Sequence, residues 1–84
     1  MYDCYFTFRS ITGAQRAQHA LQKEKLRCQL LRTPKSMSVN GCGYALKVRP
    51  GEAPAIRAAL AVWGIEYRKI FKVYPDGRTE EERI

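Results

Sequence analysis

The residue of this chain best suited to covalent chemistry is Cys42, which stands between Gly41 and Gly43 where a loop turns into a strand. Glycine has no side chain, so the neighbours of this sulfur leave the thiol accessible and their N–H groups free to point at it. An accessible thiolate can act as a nucleophile or hold a transferable group. The sequence therefore makes Cys42 the first candidate for a chemical site.

The other two cysteines, Cys4 and Cys28, are in phase with apolar neighbours, which predicts that they fill the core. The three cysteines have no metal-ligand spacing, and the single histidine, His19, completes no zinc set with them. We therefore expect no metal and no cofactor. An odd number of cysteines without an export signal is typical of a reducing compartment.

The charge of the chain is unevenly distributed. The 84 residues carry a formal net charge of +7, and the last ten residues are acidic on balance, so the excess lies in residues 1–74. A basic surface attracts polyanions or an acidic protein partner, although it also serves plain solubility. No apolar run reaches the length of a membrane span and the N-terminus lacks a signal pattern, so we expect a cytoplasmic protein.

Hydrophobic periodicity predicts six elements along the chain. Alternation of apolar and polar residues indicates strands, and apolar residues spaced three and four apart indicate helices. The imperfect alternation of the last strand indicates either a bulge near Arg68 and Lys69 or a strand with two usable faces. The predicted elements are a strand at 2–8, a helix at 12–25, strands at 26–30 and 43–49, a helix at 53–63 and a strand at 65–73.

The order βαββαβ predicts an α+β fold, the ferredoxin-like sandwich. In that fold a four-stranded antiparallel sheet carries two helices on one face. The domain would span residues 1–74, followed by a flexible charged C-terminal tail at 75–84. The loop that bears Cys42 would join the second and third strands at one edge of the domain.

The motif around Cys42 resembles a known family. Thr33-Pro34, Ser38 and the run Gly41–Leu46, set behind a helix and a short strand, are similar to the selenium/sulfur carrier protein-like family. The resemblance extends from residue 2 to about residue 71. It differs from the sulfur-relay carriers that have a Cys-Pro-x-Pro motif.

The resemblance implies a ferredoxin-like domain that holds sulfur or selenium on Cys42, with Gly41 and Gly43 as its frame. Such a protein carries a persulfide or selenopersulfide to a partner and is not an enzyme in the usual sense. An acidic donor or acceptor protein would dock on the basic surface.

Four nearby side chains could support the thiol. Positive charge and hydrogen bonds lower the pKa of a cysteine. Arg32 and Lys35 are the nearest cations in the sequence, and Ser38 and Asn40 could donate hydrogen bonds to the sulfur or its cargo. The alternative is that Cys42 is a small residue in a tight turn, with glycines needed only for positive φ.

Two other functions remain open. A basic βαββαβ sheet is also the frame of RNA-recognition domains, with Tyr44 and Tyr5 as stacking platforms on the open face, although Cys42 and Lys47 stand where further aromatics are expected. A regulatory module that forms a homodimer is the third hypothesis, since open sheet faces and edges of this fold often associate.

Overall fold

The computed structural model describes residues 1–33 and 43–82. The predicted loop at 35–41 and Cys42 itself lie outside the described residues. The described part contains two α-helices, a short 3-10 helix at Pro50–Glu52 and five strands. These elements are β1 (Asp3–Phe8), α1 (Ile11–Lys23), β2 (Gln29–Arg32), β3 (Tyr44–Val48), α2 (Ala53–Val62), β4 (Ile70–Val73) and β5 (Thr79–Glu82).

The strands form one antiparallel sheet in the order β2-β3-β1-β4-β5. The first four strands have the order expected for a ferredoxin-like sandwich, so the architecture is an α+β fold that is roughly ferredoxin-like. The strand count is a correction, because four strands were expected and five are found.

The fifth strand comes from the segment predicted to be a flexible tail. Residues 79–82 have the sequence Thr-Glu-Glu-Glu, which shows no alternation of apolar and polar residues. Their pairing with β4 places carboxylates beside lysines, and Glu81 forms an ion pair with Lys69 at 3.1 Å. The partner strand therefore determines this element, which a single-sequence pattern could not reveal.

Both helices pack on one face of the sheet. Alternate residues of β1, including Phe6 and Phe8, point to that face, together with Leu46 of β3 and Ile70 of β4. The helices contribute alanine, leucine and isoleucine side chains to the same core, as their apolar spacing predicted. The opposite face of the sheet carries no helix among the described elements.

The start of β4 is later than predicted. The expected strand began at residue 65, whereas β4 spans Ile70–Val73. Just before it, Thr7 of β1 hydrogen-bonds with two successive residues: its N–H donates to the Lys69 carbonyl at 2.9 Å, and its carbonyl accepts from the Arg68 N–H at 2.8 Å. Two residues facing one on the partner strand constitute a bulge, the first of the two alternatives for this position.

Candidate thiol site and its surroundings

The described chain leads up to Cys42 at one end of the sheet. The N–H of Thr33 donates to the carbonyl of Gly43 at 3.0 Å, which extends the pairing of Arg32 with Tyr44 by one residue. Gly43 directly follows Cys42 in the sequence, and Cys42 lies outside the described residues. The other predicted site residues, Lys35, Ser38, Asn40 and Gly41, lie outside the described residues.

Gly43 is the described glycine next to the candidate thiol. A Cβ atom added at position 43 would meet no atom within 4 Å. The bare backbone beside the cysteine leaves space for an approaching group.

Arg32 is the described member of the predicted pair of supporting cations. Its guanidinium carbon lies 5.8 Å from the centre of the Tyr44 ring, an arrangement that favours a cation–π contact. The side chain is exposed, and no ion pair with it occurs in the described part of the chain. Its positive charge is therefore held at the end of the sheet that leads to Cys42.

Thr33 lies at the same end of the sheet, directly after β2, and the sequence pattern assigned it no role of its own. Its hydroxyl oxygen is buried and has no hydrogen-bond partner among the described residues. Burying a hydroxyl without a partner costs about 1–3 kcal/mol. Its place in the Thr33-Pro34 pair is the sequence feature that could have drawn attention to it.

The two described cysteines are poor nucleophiles. Cys4 is only 2% exposed, and burial, assisted by the charge of Glu82, raises the pKa of its thiol. Burial also raises the pKa of the half-buried Cys28. Both side chains pack in or against the hydrophobic core, which confirms their predicted role as core residues. Their thiols stay protonated at neutral pH.

The open face of the sheet is not the basic surface that RNA binding would require. The register places Lys47 and Lys69 on this face, and each lies beside a carboxylate: Lys47 is 3.7 Å from Asp3, and Lys69 is 3.1 Å from Glu81. These ion pairs cancel the charge of the two lysines. The expectation of a basic open face is therefore wrong.

The two tyrosines proposed as stacking platforms also lie on different faces. Tyr5 pairs with Lys47 and faces the open side, whereas Tyr44 pairs with Phe8 and faces the helices. Tyr44 packs against the core. The pair cannot form one stacking surface.

Residues 1–33 and 43–82 contain neither a membrane-spanning helix nor a metal-binding cluster. Within those ranges, no helix is both long and apolar enough to cross a bilayer. No group of three or more His, Cys, Asp or Glu side chains in the same ranges could hold a metal ion.

The described architecture is that of a small α+β domain in which two helices cover one face of an antiparallel sheet. A comparison with protein-family models matches residues 3–72 to the family described as "Putative Se/S carrier protein-like". The match covers most of the chain, and the protein belongs to this family. Searches of curated proteins and of solved structures found no significant match.

The family description names a carrier, a protein that holds a group for transfer and does not turn over a substrate as an enzyme does. A carrier needs a donor that loads it and an acceptor that unloads it. The family therefore implies at least one partner.

Proposed function

We propose that this protein carries sulfur or selenium as a persulfide or selenopersulfide on Cys42 and delivers it to a partner protein. The observation that supports this most strongly is the family match, which runs through Cys42. The raised pKa values of the Cys4 and Cys28 thiols add to it, because they leave Cys42 as the cysteine free to react. The ferredoxin-like domain serves as the rigid support of this thiol.

The loading step is a thiolate exchange. The Cys42 thiolate attacks the outer sulfur of a donor persulfide, and a new S–S bond forms on Cys42. The S–S bond of the donor breaks, and the donor leaves as a thiolate. The outer sulfur keeps its proton and no external oxidant or reductant is needed. Delivery to an acceptor thiolate repeats the exchange in the opposite direction.

The surroundings of Cys42 suit this exchange. Gly41 and Gly43 leave the sulfur unshielded for an approaching partner. Positive charge from Arg32 and Lys35 favours the thiolate, and Ser38 and Asn40 supply hydrogen bonds to the sulfur or its cargo. Arg32 is the described member of this set, and its exposed position at the end of β2 supports the assignment.

The partner in this proposal is an acidic donor or acceptor protein, in keeping with the net charge of +7. The reducing cytoplasm is the compartment in which a persulfide carrier with free thiols would work. RNA binding gains no support from the open face, where lysines are paired with carboxylates. A homodimer is compatible with the carrier role and is measured by sedimentation.

Intact-mass spectrometry tests the proposal. The wild-type protein, reduced and then exposed to inorganic polysulfide, should gain about 32 Da, the mass of one sulfur atom, on Cys42. Cys28→Ser should gain the same mass, whereas Cys42→Ser should not. A gain that persists in Cys42→Ser and disappears in Cys28→Ser would overturn the assignment of Cys42.

A further inference from the structure

Residues 65–69, in the segment that connects α2 to β4, border an open cleft. Arg57 and Leu60 of α2 line one side of this cleft, and Ile65, Tyr67 and Arg68 line the other. Its volume is about 540 Å³. The segment precedes β4, which begins at Ile70.

Two smaller clefts adjoin the first one. A cleft of about 220 Å³ lies at the start of α1 between Arg9 and Arg68, and it shares Tyr67 with the large cleft. A cleft of about 360 Å³ lies between Arg16 and Trp63 and shares Ile65. The three clefts therefore form one surface around residues 65–69.

This surface is strongly basic. Four arginines line it, together with Lys69, which is paired with Glu81, and one carboxylate, Glu66. A second carboxylate, that of Glu24, contacts the Trp63 indole at 3.3 Å. The three ion pairs in the described residues all use lysines, so none of these arginines has an ion-pair partner there. We call it the arginine surface, defined by Arg9, Arg16, Arg57 and Arg68. The guanidinium group matches a carboxylate with two parallel hydrogen bonds.

Apolar side chains lie between the arginines. Trp63 is 42% exposed, which is high for a large aromatic residue, and Ile65 and Tyr67 are half-buried. The Tyr67 ring packs edge-on against the core residue Phe6, with ring centres 5.0 Å apart, so it is held in place. Buried aromatic anchors surrounded by charged residues are typical of protein interfaces.

The arginine surface reaches the end of the sheet that leads to Cys42. Phe8 lines the cleft at the start of α1, and its cross-strand partner is Tyr44. Tyr44 directly follows Gly43. A partner seated on the arginine surface would therefore lie beside the end of the sheet from which the thiol is presented.

We infer that the arginine surface binds an extended acidic segment of a protein, with carboxylates on the arginines and an apolar side chain against Trp63, Ile65 and Tyr67. The role of that segment as part of the donor or acceptor rests on the proposed function. A nucleic acid is the less suitable occupant, because Glu66 lies between the clefts and would repel a phosphate backbone. A protein segment can avoid this repulsion by its choice of side chains.

Fluorescence anisotropy with a defined probe tests this inference on the full chain. The probe is a labelled 12-residue peptide of glutamate, leucine and glycine in equal numbers, measured at about 0.15 M salt. The double variant Arg57→Gln/Arg68→Gln should weaken binding of the peptide about tenfold, since bonds between charged groups are stronger than neutral ones. Replacing every glutamate of the peptide with glutamine should abolish binding.

A matched control distinguishes binding at a defined site from general attraction to a positively charged protein. Arg27→Gln/Arg49→Gln removes the same charge from a cleft beside Cys28 and should weaken binding less than twofold. Equal losses in the two double variants would overturn the inference. Tighter binding of a uridine oligonucleotide, weakened by the same Arg57/Arg68 substitutions, would overturn it in favour of nucleic acid.

The result of the peptide-binding test does not depend on the thiol chemistry of Cys42. Cys42→Ser should bind the peptide as wild type does, and Arg57→Gln/Arg68→Gln should still gain sulfur from polysulfide. Failure of peptide binding with normal sulfur loading contradicts the docking surface alone. Failure of sulfur loading with normal peptide binding contradicts the carrier proposal alone.

Discussion

The indole N–H of Trp63 donates a hydrogen bond to a carboxylate oxygen of Glu24 at 3.3 Å, and these two residues are the C-caps of α2 and α1. Trp63 closes the apolar stripe of its helix, a position typical of a core residue, yet its side chain is 42% exposed. An indole N–H needs a polar partner, and Glu24 provides one at the surface. The bond joins the ends of the two helices.

A double-mutant cycle measures this bond. We expect Trp63→Phe and Glu24→Ala to lower the free energy of unfolding with a coupling of about 0.5–1 kcal/mol, the net value of a single hydrogen bond. Urea unfolding followed by circular dichroism gives the four values. Pairing Trp63→Phe with Glu66→Ala, another exposed carboxylate, is the control and should be additive. Additivity in both cycles would mean that the contact contributes nothing to stability.

The two helices end in the same backbone arrangement, but the residue with positive φ differs between them. Each terminates at a residue with positive φ, which is Lys25 (58°) after α1 and Gly64 (67°) after α2. The next N–H in each case, that of Leu26 or Ile65, returns to the carbonyl of a leucine in the last turn. This is the Schellman arrangement, in which glycine is the favoured residue.

One substitution at each of these two helix ends should change the free energy of unfolding, and the two changes should have opposite signs. Lys25→Gly should raise the free energy of unfolding by about 0.5–1 kcal/mol, because it removes the cost of a side chain in the left-handed region. Gly64→Ala should lower it by about 1 kcal/mol for the same reason. Lys23→Gly, inside α1, is the control and should destabilise. A loss of stability in Lys25→Gly would contradict the assignment of strain at Lys25.

The order of the helices and strands was predictable because the spacing of apolar residues along the sequence indicates each of them. Cys4 lies on the buried side of β1 as its alternation indicated. Ser10, a residue type favoured at helix N-termini, caps α1 by accepting a hydrogen bond from the Gly13 N–H at 3.2 Å. These features depend on residues close together in the sequence. Local spacing is therefore sufficient to predict them.

The remaining features depend on residues far apart in the sequence. β5 forms because its glutamates meet Lys69 and Lys72 of the neighbouring chain segment. The arginine surface brings together Arg9 and Arg68, which are separated by most of the chain. The candidate thiol and the burial of Cys28 could both be predicted from local sequence, whereas the contact of Arg32 with the Tyr44 ring depends on the pairing of β2 with β3.

Removal of β5 tests whether the C-terminal segment is a strand or a flexible tail. Ending the chain after Arg78 removes four cross-strand pairs and uncovers Phe71, which is only 8% exposed. We expect the free energy of unfolding to fall by about 1–3 kcal/mol, since each pair contributes a fraction of a kcal/mol. Urea denaturation measures the change. A truncated protein as stable as the full chain would show that residues 79–84 are a tail.

The hairpin between β4 and β5 should be sensitive to high pH. The hydroxyl of Tyr74 donates to a carboxylate oxygen of Glu80 at 2.9 Å, and this bond, followed by burial and the charge of Glu80, raises the pKa of Tyr74. A raised folded-state pKa gives stability that is present below the unfolded value of about 10 and is lost as the pH rises through the folded value. Thermal unfolding of wild type should therefore weaken above pH 10 more steeply than that of Tyr74→Phe. Parallel curves would contradict the role of this bond.

The raised pKa values of the two described thiols predict how alkylation depends on pH. At pH 7.5 the native protein should react rapidly at one cysteine and the urea-unfolded protein at three, because the thiols of Cys4 and Cys28 stay protonated by burial. Rapid reaction should disappear in Cys42→Ser and persist in Cys28→Ser, as measured by iodoacetamide mass shifts over time.

The same burial makes stability fall at alkaline pH. Unfolded thiols ionise near pH 8.5 while the folded ones remain protonated, so the contribution of Cys4 and Cys28 is complete below that pH and is lost as the pH rises through their folded values. Replacing Cys28 with alanine should reduce the slope of unfolding free energy against pH between about 8.5 and 10. An unchanged slope, together with rapid alkylation of Cys28 in the native protein, would show that its thiol is exposed enough to ionise and would reopen it as a second carrier.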